Sequence, residues 1–322
     1  MKTSVAVLRG GPSSEYAMSL KTGAEYIRAL PEDSYTARDV FIDTEGVWHA
    51  RGIPMTPVQA LSHTDVVLNA LHGGMGEDGT VARFLNQQGI AYAGSRPIAT
   101  SLAYNKVRAR DTITRAGMSV PQALTFSLSD DLDTGEMASA VFAQFAPPYV
   151  VKPLTQGHSR GVQYVSGVHH LPDAIGDVLD AYGAALIEEY IQGEHISAHV
   201  LQDFRNQALY VFPVAHHMIA SGERIISSRV HDTGSLESLV PSRHSHEDKQ
   251  MLEDIARRVH TALGMQHMSQ VDMIKTPRRT YVLEADTIPA LHPGSPLPRM
   301  LESVGSSNRE YVEHLIQLAM GV

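Results

Sequence analysis

Val5-Ala6-Val7-Leu8-Arg9-Gly10-Gly11-Pro12-Ser13-Ser14-Glu15 is the stretch that decides the fold class. Its four apolar residues lead straight into a glycine pair, the pattern of a buried parallel strand ending in a tight turn. Ser13 or Ser14 is placed to cap the helix that follows, which carries Met18, Leu20, Ala24, Ile27 and Leu30. The unit recurs at Val66 to Ala70, a second buried strand followed by Gly73, Gly74 and Gly76. Strand, glycine loop and helix in alternation make an open α/β layer, and ligands of such layers sit at the carboxyl ends of the strands. This first unit is expected to run to about Ser95.

Further along, the pattern changes. Pro97 to Thr114 reads as a helix, broken by Gly117 and Pro121. After the stiff joint Ala146-Pro147-Pro148, Tyr149 to Lys152 and Val162 to Ser166 read as a hairpin with a glycine-rich tip. Ala184 to Ile191 is another apolar strand. An alternating strand follows Gly193, with Ile196, Ala198 and Val200 on one face. Met251, Leu252, Ile255, Val259, Ala262 and Leu263 fall at helical spacing, and Gly264 stops that helix. Gln270 to Ile274 and Thr280 to Glu284 are two strands joined by the turn Thr276-Pro277-Arg278-Arg279. Residues 219 to 248 are polar, rich in Ser and His, and read as a long loop.

A chain of 322 residues, at roughly 150 residues per domain, makes two domains or three. Hydrophobic residues at 43% and charged residues at 19% suit a substantial core and exclude disorder. Lys and Arg number 26 against 35 Asp and Glu, a net charge of −9, which argues against a nucleic-acid binder. With no cysteine, disulfide scaffolds, thiolate metal sites and cysteine nucleophiles are excluded together. Met1 to Leu8 does not read as a signal peptide, and no apolar run is long enough to cross a membrane. A cytoplasmic location is the expectation.

Three acidic residues carry the strongest chemical signal. Asp272 lies near one end of its strand. Glu284 ends the partner strand, and Asp286, two residues on, shares its face. If the strands pair, three carboxylates meet at one mouth and raise each other's pKa. A hard divalent cation relieves that cost, and an all-oxygen donor set suits Mg²⁺. Three exposed acids at hairpin ends are the alternative. Lys152 ends a buried strand just before Gly157-His158-Ser159-Arg160-Gly161, where a point charge and glycine-flanked backbone N–H groups can hold a phosphate. A P-loop spacing is absent. Lys106, on a helix, is most simply a solvated surface residue. His72, within a stretch holding four glycines by Gly79, is placed to orient a substrate or is incidental to a turn. Glu15 sits at the mouth of the first strand, where a helix dipole also favours an acid.

Together these segments resemble the ATP-grasp superfamily, and within it the D-alanine–D-alanine ligases. The resemblance covers nearly the whole chain in order. It runs through Arg9-Gly10-Gly11-Pro12-Ser13-Ser14-Glu15, Leu71-His72-Gly73 with Gly76-Glu77-Asp78-Gly79, Asn105-Lys106 and Val151-Lys152-Pro153. It continues through Ile187-Glu188-Glu189-Tyr190-Ile191 with Gly193, Val271-Asp272 and Leu283-Glu284-Ala285-Asp286.

The resemblance implies a three-domain ATP-grasp architecture of the α/β class. An N-terminal open parallel α/β domain (1–95) would be followed by two α+β lobes (96–186 and 187–322) that clasp ATP. It implies an ATP-dependent ligase that joins two D-amino acids through an acylphosphate, for peptidoglycan precursors. By position, Lys106 and Lys152 would contact ATP phosphates, with Ser159 in the loop that covers them. Glu188, Glu189 and Ile191 would line the adenine, and Glu194 or His195 the ribose. Asp272, Glu284 and Asp286 would hold two Mg²⁺ ions, for which Mn²⁺ can substitute. Glu15 would meet the first substrate's ammonium group, His72 its carboxylate, and Ser295 the second substrate's carboxylate. Glu15, Ser159 and Gln270 would be the catalytic positions. A homodimer is implied too, with small-molecule partners and neither nucleic acid nor membrane.

The chain departs from the family pattern in the condensation half. Gln270 stands where the family has an Arg that stabilises the tetrahedral intermediate, Asp286 where it has Asn, and Ala290 where it has a glycine. In place of a closing Tyr and Lys, the segment Ile225 to His231 offers Arg229 and His231. Arg299, Arg229 and His292 are the candidates to supply the missing positive charge. Two alternatives follow: a ligase with another acceptor such as D-lactate, or a nucleotide-binding protein that no longer condenses substrates.

Overall fold

The computed structural model describes residues 2–155, 157, 159–219, 223–226 and 236–321. Three sheets follow one another along the chain. The first has six strands: β1 (Thr3–Gly10), β2 (Tyr35–Ile42), β3 (Trp48–Ala50), β4 (Ile53–Met55), β5 (Val66–Asn69) and β6 (Ala91–Ala93), in the order β4-β3-β2-β1-β5-β6. β2, β1, β5 and β6 are parallel, and β3 and β4 form an antiparallel edge. Helices α1 (Tyr16–Ala29), α2 (Pro57–Ala60) and α3 (Thr80–Gln88) connect them.

β1 is central, which explains its unbroken apolar run. Val5 and Val7 pack with Tyr26 of α1 on one face, while Ala6 and Leu8 pack with Val40, Val81 and Leu85 on the other. Gly10 has φ +95°, and a Cβ there would stand 2.1 Å from the Ile42 carbonyl oxygen, so only glycine fits. Glu15 rather than a serine occupies the N-cap of α1, with no side-chain cap bond. Ser13 is used elsewhere: its hydroxyl accepts from Glu15 N at 3.1 Å and donates to the His72 carbonyl.

Two helices span the next segment, α4 (Pro97–Tyr104) and α5 (Lys106–Arg115). The single helix expected there is interrupted because Asn105 adopts an extended conformation and its side chain caps α5, accepting from Arg108 N at 3.1 Å. The second sheet is antiparallel: β7 (Ala123–Ser127), β8 (Tyr149–Pro153), β9 (Gln163–Val165) and β10 (Ala184–Glu189), in the order β7-β10-β8-β9. Tyr149, Val151, Ala185 and Ile187 face the core formed with α6 (Thr134–Gln144) and α7 (Leu171–Tyr182). By alternation Lys152 and Glu188 face the opposite way. A lobe boundary at 186/187 would cut β10, which stays in this sheet through Glu189.

The third sheet holds β11 (Glu194–Phe204), β12 (Gln207–Val211), β13 (Ala215–Ile219), β14 (Leu236–Leu239), β15 (Met268–Lys275) and β16 (Thr280–Asp286). The order is β14-β13-β11-β15-β16, with β12 also on β11. Ile196, Ala198, Val200, Val271, Met273 and Val282 pack against Leu252, Ala256 and Val259 of α8 (His246–Ala262). The stretch expected as one loop over 219–248 therefore contributes β14, and the first turn of α8, capped by Ser245. Last come α9 (Pro296–Ser303) and α10 (Asn308–Met320). Tyr311, Val312, Leu315 and Ile316 of α10 join the core of Val5, Val7 and Leu68, so the chain's end completes the N-terminal sheet.

Candidate functional site

Register builds the acidic cluster. Asp272 lies directly across from Glu284, and Gln270 directly across from Asp286. Val271, Met273, Val282 and Ala285 turn to the core, which sends the three carboxylates to the other face. One oxygen from each of Asp272, Glu284 and Asp286 lies within 4.8 Å of the others. Lys106, at the start of α5, reaches across with Nζ 2.9 Å from Glu284 Oε2. Burial alone would lower the Lys106 pKa, but Glu284 and Asp286 outweigh it and hold the ammonium group protonated. The surface reading of Lys106 fails because α5 packs against β16.

A relay of side chains holds Asp272. Ser238 Oγ lies 2.8 Å from His217 Nδ1, His217 Nε2 lies 2.7 Å from Ser197 Oγ, and Ser197 donates to Asp272 Oδ1. Gln270 Nε2 donates to both Asp272 oxygens, at 3.2 and 3.3 Å. Burial, then Glu284, nonetheless pushes Asp272 up to about 7. The same causes hold Asp286 well above the usual carboxylate range. This donor set fits a hard divalent cation: it is all oxygen, it converges, and one lysine does not neutralise it.

The sign of a pH effect follows. An unfolded aspartate titrates near ~3.9, while folded Asp272 titrates at about 7. Between those values the metal-free fold holds protons that the unfolded chain has released, so this contribution to stability is lost as pH rises through the window. Cation binding requires the ionised form and strengthens over the same window. The rise in melting temperature caused by Mg²⁺ is therefore expected to be small at about pH 5.5 and to grow steadily to about pH 8. A gain independent of pH would count against the cluster as the binding site.

Glu15 is 9% exposed and comes to the same place from the N-terminal sheet. Burial, then Glu77, pushes it up to about 7, with His72 and Lys106 opposing. His72 is buried, its Nε2 2.9 Å from Thr22 Oγ1 and its Nδ1 3.8 Å from Glu77 Oε1. Thr22 also accepts from Leu291 N at 3.3 Å, which docks the 288–295 segment on α1. Ser295 Oγ donates within that segment to the carbonyls of Ala290 and His292, both at 2.8 Å.

The β8–β9 tip closes the site from above. Tyr104 OH donates to the Thr155 carbonyl and accepts from Gly74 N at 3.2 Å. Gly157 lies so close that a Cβ there would stand 2.4 Å from Glu15 Oε1. Ser159 sits in the same tip with φ +54°. A narrow cleft lined by Glu77, Lys106, Gly157, Glu284 and Asp286 remains beneath it.

The central lobe gathers three charged side chains at one buried point. Glu188, 3% exposed, binds Lys152 Nζ at 2.7 Å through one oxygen and Arg110 through the other. Its carboxylate is thus engaged by two cations. The sequence does not announce Arg110, since an Arg on a helix carries no mark. Glu189 accepts from Gln122 N at 2.8 Å, and Ile191 lies in the half-buried link to the third sheet.

Glu194 and His195 fall on opposite faces of β11. His195 shares the face of Ser197, and burial, then His216, pushes it down to about 4. Glu194 shares the face of Ile196 and lies 3.0 Å from His244 Nε2, ahead of α8, so it does not stand in for His195. Arg299 donates to the Ser238 carbonyl at 2.6 Å. Arg229 and His231 lie outside the described residues.

Residues 112–317 match the family described as D-ala D-ala ligase C-terminus. The D-alanine–D-alanine ligase of Desulforudis audaxviator (strain MP104C) is 32% identical over 317 residues, 98% of each chain. That of Carboxydothermus hydrogenoformans is 30% identical, again over 98% of each. Among solved structures, the VanG D-Ala:D-Ser ligase from Enterococcus faecalis superposes with a TM-score of 0.86 at 25% identity, over 99% of this chain and 100% of that one. The D-alanine–D-alanine ligase from Bacillus anthracis complexed with ATP gives 0.81 at 24% identity, over 99% and 98%.

Proposed function

Because this chain belongs to the D-alanine–D-alanine ligase family, and so is an ATP-dependent ligase of the ATP-grasp fold, we propose the following assignment of its site. ATP lies between the second and third sheets. Lys106 and Lys152 face its phosphates, and Asp272, Glu284 and Asp286 hold two Mg²⁺ ions. Those ions, when bound, supply charge neutralisation at the transferring phosphoryl group.

Glu15 takes the ammonium group of the first D-alanine and His72 lies toward its carboxylate. That carboxylate attacks the γ-phosphorus of ATP, forming an acylphosphate and releasing ADP. The second D-alanine, its carboxylate near Ser295, then attacks the acyl carbon through its amine. The C–O bond to phosphate breaks, an amine proton is released, and D-alanyl-D-alanine and phosphate leave. The chain's contribution is orientation and exclusion of water under the closed β8–β9 tip.

The observation that carries this reading is convergence. Lys106 of α5, Glu284 of β16 and Gly157 of the β8–β9 tip line one cleft, and Glu15, at the start of α1, stands against Gly157. Phosphate release from ATP and Mg²⁺ is expected to rise strongly when D-alanine is added. Release that no D-amino acid stimulates would overturn the assignment. Gly157→Ala forces the tip off Glu15 and is expected to lower kcat/KM by up to about 10²-fold.

A second reading, a different acceptor, is favoured by one observation: Gln270 offers only a neutral amide beside Asp272. Gln270→Arg would put a guanidinium where charge develops on the tetrahedral intermediate, and kcat with D-alanine is expected to rise about tenfold or more. A silent change favours the other acceptor, and a screen of D-hydroxy acids and D-amino acids then identifies it.

A further inference from the structure

We propose that Glu194, His216 and His244 form a second metal centre, selective for one late first-row divalent ion such as Zn²⁺, on the face of the third sheet opposite the Asp272, Glu284 and Asp286 cluster. It does not rest on the ligase assignment. His216 lies directly across from Ile196, and Ile196 packs against α8, so His216 and Glu194 share the α8 side of the sheet. His244 sits just before α8. One carboxylate oxygen and one ring nitrogen from each histidine lie within 4.8 Å of one another. The two rings stand 5.3 Å apart, centroid to centroid.

Chemistry separates this cluster from the catalytic one. Two imidazoles and a carboxylate suit Zn²⁺, Ni²⁺ or Cu²⁺, whereas the all-oxygen cluster suits Mg²⁺. Three protein ligands leave a fourth tetrahedral position for water. One His244 nitrogen, Nε2, already faces Glu194 at 3.0 Å. His244 has 7% side-chain exposure, and its Nδ1 is buried with no hydrogen-bond partner among the described residues. Lys275, paired in register with Glu194, does not compete for the carboxylate because Asp248 holds it at 3.3 Å. Donors around tetrahedral zinc lie roughly 3.3 Å apart. Rotation of Glu194, whose side chain is 48% exposed, supplies that adjustment. A bound ion would tie the start of β11 to β13 and to the entry of α8, so it braces the lobe and takes no part in the chemistry.

The test uses full-length untagged protein, stripped with a chelator, with Mg²⁺ in large excess to occupy the oxygen site. Calorimetry with Zn²⁺ is expected to show one ion per chain, and Co²⁺ to give the visible absorption of a low-coordinate site with nitrogen ligands. His244→Ala and His216→Gln should each weaken Zn²⁺ binding at least about tenfold, since even loss of an outer-shell partner costs that much. Asp272→Asn should leave it unchanged. Metal-free melting curves establish that each variant is folded, and either histidine variant alone suffices. The proposal is overturned if the wild-type chain binds no Zn²⁺ under excess Mg²⁺, if a folded histidine variant binds as tightly as wild type, or if Asp272→Asn abolishes binding.

Discussion

Glu284→Gln is expected to lower kcat/KM for ATP by about 10³-fold or more in a chain that still folds. Glu284 is the hub of the acidic cluster. It faces Asp272 across the ladder, binds Lys106 at 2.9 Å, and contributes to the upward shifts of Asp272, Asp286 and Glu15. An amide keeps its shape but removes the charge that draws both the cations and Lys106 to one point. A loss of that size corresponds to about 4 kcal/mol, within what charge neutralisation of a phosphoryl group supplies. Asp286→Asn should be much milder. An Asn at 286 matches the residue of the family pattern, and Glu284 keeps its pair with Lys106. ADP formation against Mg²⁺ concentration, with melting curves as the folding control, checks both. Glu284→Gln staying within about tenfold of wild type, or Asp286→Asn matching it, would move the phosphate-neutralising role away from this cluster.

The legible parts of the fold are those where one pattern excludes its rivals. A strand buried on both faces reads as an unbroken apolar run, and β1 and β5 are visible for that reason. The acidic ends of β15 and β16 are visible because Glu284 and Asp286, two apart in extended chain, must share a face, and pairing adds Asp272 to it. Long-range pairing leaves no such trace. Nothing local marks Arg110 as the residue 78 positions away from Glu188 that would bind it, nor Ser197 and His217 as the supports of Asp272. Lys106 shows the limit from the other side. Its helix is polar on average, so spacing points to solvent, and only the packing of α5 on β16 buries it. The interruption at Asn105 is written in the sequence, since Asn before a helical run is a capping signal. It is hidden because helix-favouring residues run on both sides of it. The division of the chain is obscured for a topological reason. α10 is last in sequence but completes the first sheet's core, and no composition shift announces a return.

Glu188→Gln should be the most destabilising single change in the central lobe. Glu188 is 3% exposed and is the shared partner of Lys152 and Arg110, which come from β8 and α5. Taking its charge away leaves two cations facing each other in a site closed to water, and breaking a buried pair this way costs about 3–5 kcal/mol. At roughly 2–4 °C per kcal/mol, the lobe's melting temperature would fall by about 10 °C. Arg110→Met is expected to cost less, because Lys152 then keeps Glu188 to itself. The ordering, more than the size, tests the account: a triad held by its anion predicts that loss of the anion is worse than loss of either cation. ATP sharpens the test. If Lys152 turns to phosphate when nucleotide binds, phosphate replaces the missing carboxylate, and saturating ATP should recover more melting temperature in Glu188→Gln than in wild type. Equal recovery in the two proteins would mean that Lys152 remains with Glu188 throughout, as a structural lysine rather than a nucleotide contact.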